Sequence, residues 1–228
     1  MKKVLSLEDK VYNQLKNAII KKKFPVNYKL KEEDIAEVLK VSRTPVRTAL
    51  KLLEKDGLLA IIPNKGAFVT KKTYEEIEEA FKVRSELERM SVRHAIINID
   101  DDDIQELENI LRNEEESYRI KNRNEAYNYG SEFHMKIAKI AQNRFLERYI
   151  EDIIMRTDEY DLIYILNDPN QEKEYYTPKQ HHEILQALKD GNSELAEKKM
   201  EEHILTTQSQ LELIYQETED PLKGLVEQ

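Results

Sequence analysis

Apolar residues recur at helical intervals through most of this 228-residue chain, and a single short stretch breaks the rhythm. Val11, Leu15, Ala18 and Ile19 give a first helix one apolar face, which Phe24-Pro25 ends. Ile35, Ala36 and Leu39 edge a second, shorter helix. After the tight connection Lys40-Val41-Ser42, the spacing of Val46, Ala49, Leu50 and Leu53 predicts a third. Ser42 or Thr44 can cap that helix, and Pro45 fits its first turn, where a missing N–H has no partner to lose. Gly57 stands where a helix stop belongs. Residues 58–62 and 67–70 then read as two strands around Pro63-Asn64-Lys65-Gly66.

From Tyr74 onward the pattern is helical again, with few glycines and several capping residues. It predicts helices near 74–97, 101–120, 123–141, 144–166, 177–190 and 193–216. The acidic residues 100–103 cap the second of these, Asn143 divides the third from the fourth, and Thr177-Pro178 opens the fifth. Asp190-Gly191-Asn192 is a turn, 167–175 is a polar loop, and the chain frays after Glu217. The expected fold is mainly α: an N-terminal winged helix-turn-helix with a small β-hairpin wing, followed by an all-α antiparallel helical bundle. The expected domains are 1–72, the winged unit, and 73–228, the helical bundle.

Charge sharpens this division. Net charge is −9 overall, but residues 1–72 hold 17 Lys and Arg against 8 Asp and Glu, a net of +9. The remainder holds 19 against 37, a net of −18. A basic head can replace counterions on phosphate, whereas the acidic body is repelled by it. Arg43, Arg47 and Lys51 stand at i, i+4 and i+8 opposite the apolar stripe of the third helix, where a helix-turn-helix presents its reading face. A plain helical hairpin with a solvated basic face is the competing reading, and the hairpin that follows argues against it. Lys21, Lys22 and Lys23 suit the end of the first helix by charge and could also touch backbone phosphate. The chain has no run of 18 apolar residues, no secretory h-region and no cysteine, so a cytoplasmic protein without disulfides or thiolate metal sites is expected.

The segments VSRTPVRTAL, LLEKDGLL and PNKGAFV resemble the winged-helix domain of the GntR family of bacterial transcription regulators. The resemblance covers about residues 8–72. It implies contacts with double-stranded DNA by Arg43, Thr44, Arg47 and Gly66, with Lys65 beside them. One departure stands out: where the family has Pro-Gly before the second helix, this chain has Pro25-Val26-Asn27.

The bundle raises a different question, because three histidines fall on apolar stripes. His134 continues Tyr127, Gly130, Ile137, Ala138 and Ala141; His181 shares a face with Ile184, Leu185 and Leu188; His203 lies with Ala196, Met200, Thr207 and Leu211. His182 falls on the outer side of its helix and His94 at the margin. A single inward histidine is usually a hydrogen-bonded core residue, but three on separate helices suggest a nitrogen-ligand site for a divalent metal such as Zn or Ni.

The order of a winged helix and an acidic helical domain resembles the FadR branch of the same family, whose ligand-binding module is the FCD domain. Six helices instead of seven resemble its VanR-like group. The resemblance implies metal ligation by His134, His181 and His203, together with an Asp four residues before the first histidine. Here that position is Gly130, which leaves either a three-histidine site completed by water or effector, or a degraded site. Arg84 and Glu88 also face inward, along Ile77, Phe81, Ser91 and Ala95. They read either as a mutually satisfied i,i+4 pair or as a site in which Arg84 grips the carboxylate of an organic-acid effector. Tyr127, Tyr129 and Asn143 are expected in the same cavity.

The function expected is a homodimeric, DNA-binding transcription regulator acting on a palindromic operator, usually as a repressor, under control of a small acid. The alternatives are a three-histidine metalloenzyme with a basic appendage, and a constitutive DNA binder with a vestigial pocket.

Overall fold

Val46, Ala49, Leu50 and Leu53, almost wholly removed from solvent, form the seam on which the first part of the chain folds. The computed structural model describes residues 6–20, 23–70, 73–164 and 177–219. Lys21 and Lys22, the linker lysines at 71–72, the expected loop at 167–175 and the residues beyond 219 lie outside the described residues. The chain divides into two compact units, Met1–Thr73 and Tyr74–Gln228.

In the first unit the described elements are α1 (Leu7–Ile20), β1 (Lys29–Leu30), α2 (Glu32–Leu39), α3 (Arg43–Lys55), β2 (Leu59–Ile62) and β3 (Gly66–Val69). Lys40 ends α2 in the left-handed region at φ 53°, and its N–H bonds back to the helix. Ser42 stands at the N-cap of α3 in an extended conformation, without a side-chain cap bond. The sheet runs β1-β3-β2, antiparallel throughout, with Leu59 opposite Val69 and Leu30 opposite Ala67. The sequence showed only the β2–β3 hairpin, because a two-residue strand is too short to alternate. The turn before α2 holds no glycine, and Asn27 takes the left-handed conformation there at φ 66°, which asparagine tolerates better than most residues.

The second unit is helical: α4 (Tyr74–Asn98), α5 (Asp101–Arg119), α6 (Arg123–Ile140), α7 (Arg144–Tyr164), α8 (Thr177–Lys189) and α9 (Ser193–Glu219). These are the expected helices to within three residues at each end. Their core is Ile77, Phe81, Leu107, Leu111, Phe133, Ile137, Ile184, Leu188, Met200 and Ile204. Burying each such side chain contributes about 1.5–3 kcal/mol. α4 packs against α6, α7, α8 and α9, so its inward residues reach the middle of the bundle. The winged helix-turn-helix and the helical bundle are the fold class expected.

Asp100 caps α5, its side chain accepting from the Asp103 N–H at 2.8 Å. Asp100→Ala should therefore lower stability by about 1 kcal/mol, measured by urea denaturation. An unchanged midpoint would show that the cap contributes nothing.

Candidate functional site

In the first unit, α3 turns its polar side toward the wing. Lys29, Lys31, Arg43, Arg47, Lys51 and Lys65 line one groove with Asn64 and Gly66. The groove is not purely basic, because the first turn of α2 brings Glu32 and Glu33 to it. Arg47 donates to Glu32 from Nε (3.0 Å) and Nη2 (2.9 Å), and Arg43 pairs with Glu33. The hydrogen bond from Arg47 holds the Glu32 carboxyl below its usual range. Both arginines are exposed, so these pairs add little to stability; they hold the guanidinium groups in place. Thr44 is exposed in the first turn of α3. Gly66 has φ +109°, and a Cβ there would meet the Lys29 side chain at 3.1 Å. Both facts favour glycine at this point of the wing.

In the second unit, α6, α8 and α9 bring His134, His181 and His203 together, each at most 3 % exposed. Their Nε2 atoms converge: His134 and His181 lie 3.1 and 3.2 Å from His203. The Nδ1 atoms point outward to braces. Glu88 accepts from His134, Glu114 from His181 at 2.8 Å, and the Gln180 carbonyl oxygen from His203 at 3.2 Å. In the tautomer that lets each Nδ1 donate to its brace, each Nε2 presents a lone pair to the other two. Lone pairs crowded in this way repel unless a cation lies among them.

The donor set fits a divalent ion. Nitrogens bound at about 2.0–2.1 Å to a tetrahedral ion stand about 3.3 Å apart, close to the spacing seen. Carboxylate-braced histidines are the usual surroundings of metal-ligating imidazoles. The charges also fit: among the described residues Glu88 and Glu114 are buried carboxylates and Arg84 is the buried guanidinium, an excess of negative charge that a divalent cation would offset.

Arg84 donates to Glu88 from Nε (2.6 Å) and to Thr157 Oγ1 from Nη1 (2.9 Å). Burial alone would raise the Glu88 carboxyl, but His134 and Arg84 override it and hold it at about 2. Burial lowers His134, with Glu88 restoring part of the loss. Burial also takes His203 well below 6.5, and His181 and His134 add to the effect. Asp158 accepts from Tyr127 Oη (2.9 Å) and Ser131 Oγ (2.8 Å), and burial raises its carboxyl.

The structure thus brings the three histidines together and places Tyr127 beside Asp158. It does not bring Asn143 to Arg84. Asn143 begins α7, where its Oδ1 accepts from the N–H groups of Phe145 and Leu146. Thr157, the partner of Arg84 on that helix, stands about 21 Å further along it at 1.5 Å per residue. The bracing role of Glu88, and Glu114 and Gln180 altogether, escaped the sequence reading. Glu114 was hidden in an acidic run, although it continues the stripe of Leu107, Ile110 and Leu111.

Residues 7–69 match the family described as bacterial regulatory proteins, gntR family, and residues 79–206 match the FCD domain. The chain is 30 % identical to the HTH-type transcriptional regulator YdhC of Bacillus subtilis (strain 168), over 85 % of this chain and 84 % of that one. It is 24 % identical to the HTH-type transcriptional repressor RspR of Escherichia coli (strain K12), covering 94 % and 92 % of the two. Among solved structures, E. coli McbR/YncC superposes with a TM-score of 0.75 at 25 % identity, over 93 % of this chain and all of that one.

Proposed function

The chain belongs to the gntR family of bacterial regulatory proteins, and from that premise we propose a homodimeric repressor whose helical unit senses a small acid. It is a DNA-binding transcription regulator and not an enzyme. Arg43, Thr44, Arg47, Lys65 and Gly66 are the DNA contacts, with α3 in the major groove and the wing alongside. Residues 1–72 carry this contact, and residues 73–228 carry sensing and dimerisation.

Support for the sensing role comes from one observation above all: three buried Nε2 atoms facing one another, with every Nδ1 braced. His134, His181 and His203 would hold a Zn or Ni ion, which would supply a Lewis-acidic point for the oxygen of an acid. The buried excess of carboxylate makes the cluster hostile to an anion without such a charge. Arg84, engaged by Glu88 and Thr157, and Tyr127, engaged by Asp158, shape the polar wall beside it. For the acid to regulate, its affinity must differ between the DNA-bound and free forms. RspR, a repressor by name, covers nearly the whole chain and favours the same sign here.

Two-fold pairing is favoured by an apolar surface on the bundle. Val83, Met90 and Ile97 of α4 are 51, 37 and 76 % exposed, and Phe145 and Tyr149 of α7 are 61 and 58 % exposed. They lie at intervals of seven on α4 and four on α7, forming exposed apolar stripes of the kind that mark protein interfaces.

DNA binding is tested at Arg47. Arg47→Ala should weaken operator binding roughly tenfold to a hundredfold and flatten the salt dependence by about one counterion. A gel shift equal to that of the unaltered protein at moderate salt would remove Arg47 from the reading surface. Elemental analysis and sedimentation of the purified full chain test the ion and the dimer.

A further inference from the structure

A surface that only grips phosphate has no use for acid, yet two carboxylates stand among the cations of the winged unit's groove. Both come from the first turn of α2, where the helix dipole favours acidic groups. They are held differently. Glu33 is exposed and meets Arg43 through one nitrogen, Nη2. Glu32 is half-buried and spans two nitrogens of Arg47. Nε donates to Oε1 and Oε2 at 3.0 and 3.2 Å, and Nη2 donates to Oε2 at 2.9 Å.

A two-point contact fixes more than position. A guanidinium is planar and carries five N–H groups, so a carboxylate on its Nε–Nη2 edge sets the plane of the whole fork. Nη1 of Arg47 has no hydrogen-bond partner among the described residues. The Nη1–Nη2 edge is therefore left to donate as a parallel pair. In the major groove the matching pair of acceptors is O6 and N7 of guanine. Adenine sets an amino donor beside its N7, cytosine offers a donor, and thymine has one acceptor beside a methyl group. A phosphate could also take the pair, but it would stand close to the Glu32 carboxylate, and like charges repel.

We propose that Glu32 is a positioning residue that sets Arg47 to read guanine and turns it away from phosphate. The inference rests on Arg47 lying in the major groove, as above, and adds the base it selects and the residue behind the selection. Glu33, with its single contact to a different arginine, is the comparison of equal charge.

The unaltered full chain first enriches a pool of duplexes with a random centre. Each position of the enriched sequence is then changed to the other three bases. The set is titrated with the unaltered protein, Arg47→Ala, Glu32→Ala and Glu33→Ala. Arg47→Ala marks its own base pair, the one where discrimination falls. At that pair the unaltered protein should prefer guanine by roughly tenfold or more, the scale of one bidentate contact. Glu32→Ala should lose most of this preference, and Glu33→Ala should retain it. On an unenriched duplex Glu32→Ala should bind more tightly than the unaltered protein, with a log–log salt slope steeper by about 0.9. A misfolded variant could not give that gain. The proposal is overturned if the marked base is not guanine, if Glu32→Ala keeps the preference or gains nothing on the unenriched duplex, or if Glu33→Ala relaxes the same pair equally. In each of these cases Arg47 remains a DNA contact. If Arg47→Ala changes discrimination at no pair, the placement of Arg47 itself fails and this inference fails with it.

Discussion

Glu88→Ala should lower the unfolding free energy of the helical unit by about 3–5 kcal/mol, because it leaves a buried guanidinium without its counter-charge. Glu88 is 1 % exposed and is bonded to Arg84 and His134 at once. Truncation leaves Arg84 with Thr157 as its remaining hydrogen-bond partner in this cluster, while the desolvation of the guanidinium is unchanged. Glu88→Gln should lose less, since an amide still accepts from one neighbour. Urea denaturation of the full chain, following the transition of the helical unit, checks both. A loss below 1 kcal/mol in the alanine variant would mean that water reaches Arg84 and that the cluster is not dry.

The second large effect concerns the ion. With free Zn(II) at about 1,000 times its dissociation constant, loading should stabilise the fold by about 4 kcal/mol. For a chain of this size that is a rise of roughly 8–16 °C in melting temperature. His203→Ala should abolish the rise. Without added ion the variant should melt no lower than the unaltered protein, because one of three mutually repelling lone pairs is gone. Differential scanning fluorimetry with chelator and with Zn(II) separates the two effects. An undiminished Zn(II) increment in His203→Ala would exclude His203 as a ligand.

Acid should act against both the fold and the ion. His134 and His203 are depressed from 6.5 in the folded chain, chiefly by burial. As pH falls through 6.5 the unfolded imidazoles take up protons before the folded ones do. Stability is therefore present above that pH and lost below it. Protons also compete with the ion for the same nitrogens, so the Zn(II) increment should shrink between pH 7.5 and 5.5. A pH-independent increment would argue against histidine ligation.

The fold was legible because its signals are local. The stripe Val46-Ala49-Leu50-Leu53, the stop at Gly57 and the turn at Asp190-Gly191-Asn192 each act within a few residues. Histidines on apolar stripes could likewise be found from helical spacing alone. What could not be read depends on which helix faces which. Glu88 and Glu114 brace histidines 46 and 67 residues away, and Gln180 braces one 23 residues away. Periodicity can place Glu88 and Glu114 on inward faces, but it does not say which histidine each one meets. Asn143 was misplaced for the reverse reason: a capping residue is polar for the sake of its own helix end and needs no cavity.

Gly130 also limits what can be placed beside Glu114. An aspartate introduced at position 130 would grow toward an oxygen only 3.2 Å from its first side-chain atom, so two acidic groups would compete for one small volume. The bundle centre thus holds one acid at this point, supplied by α5, and a second from α6 could enter only by displacing it.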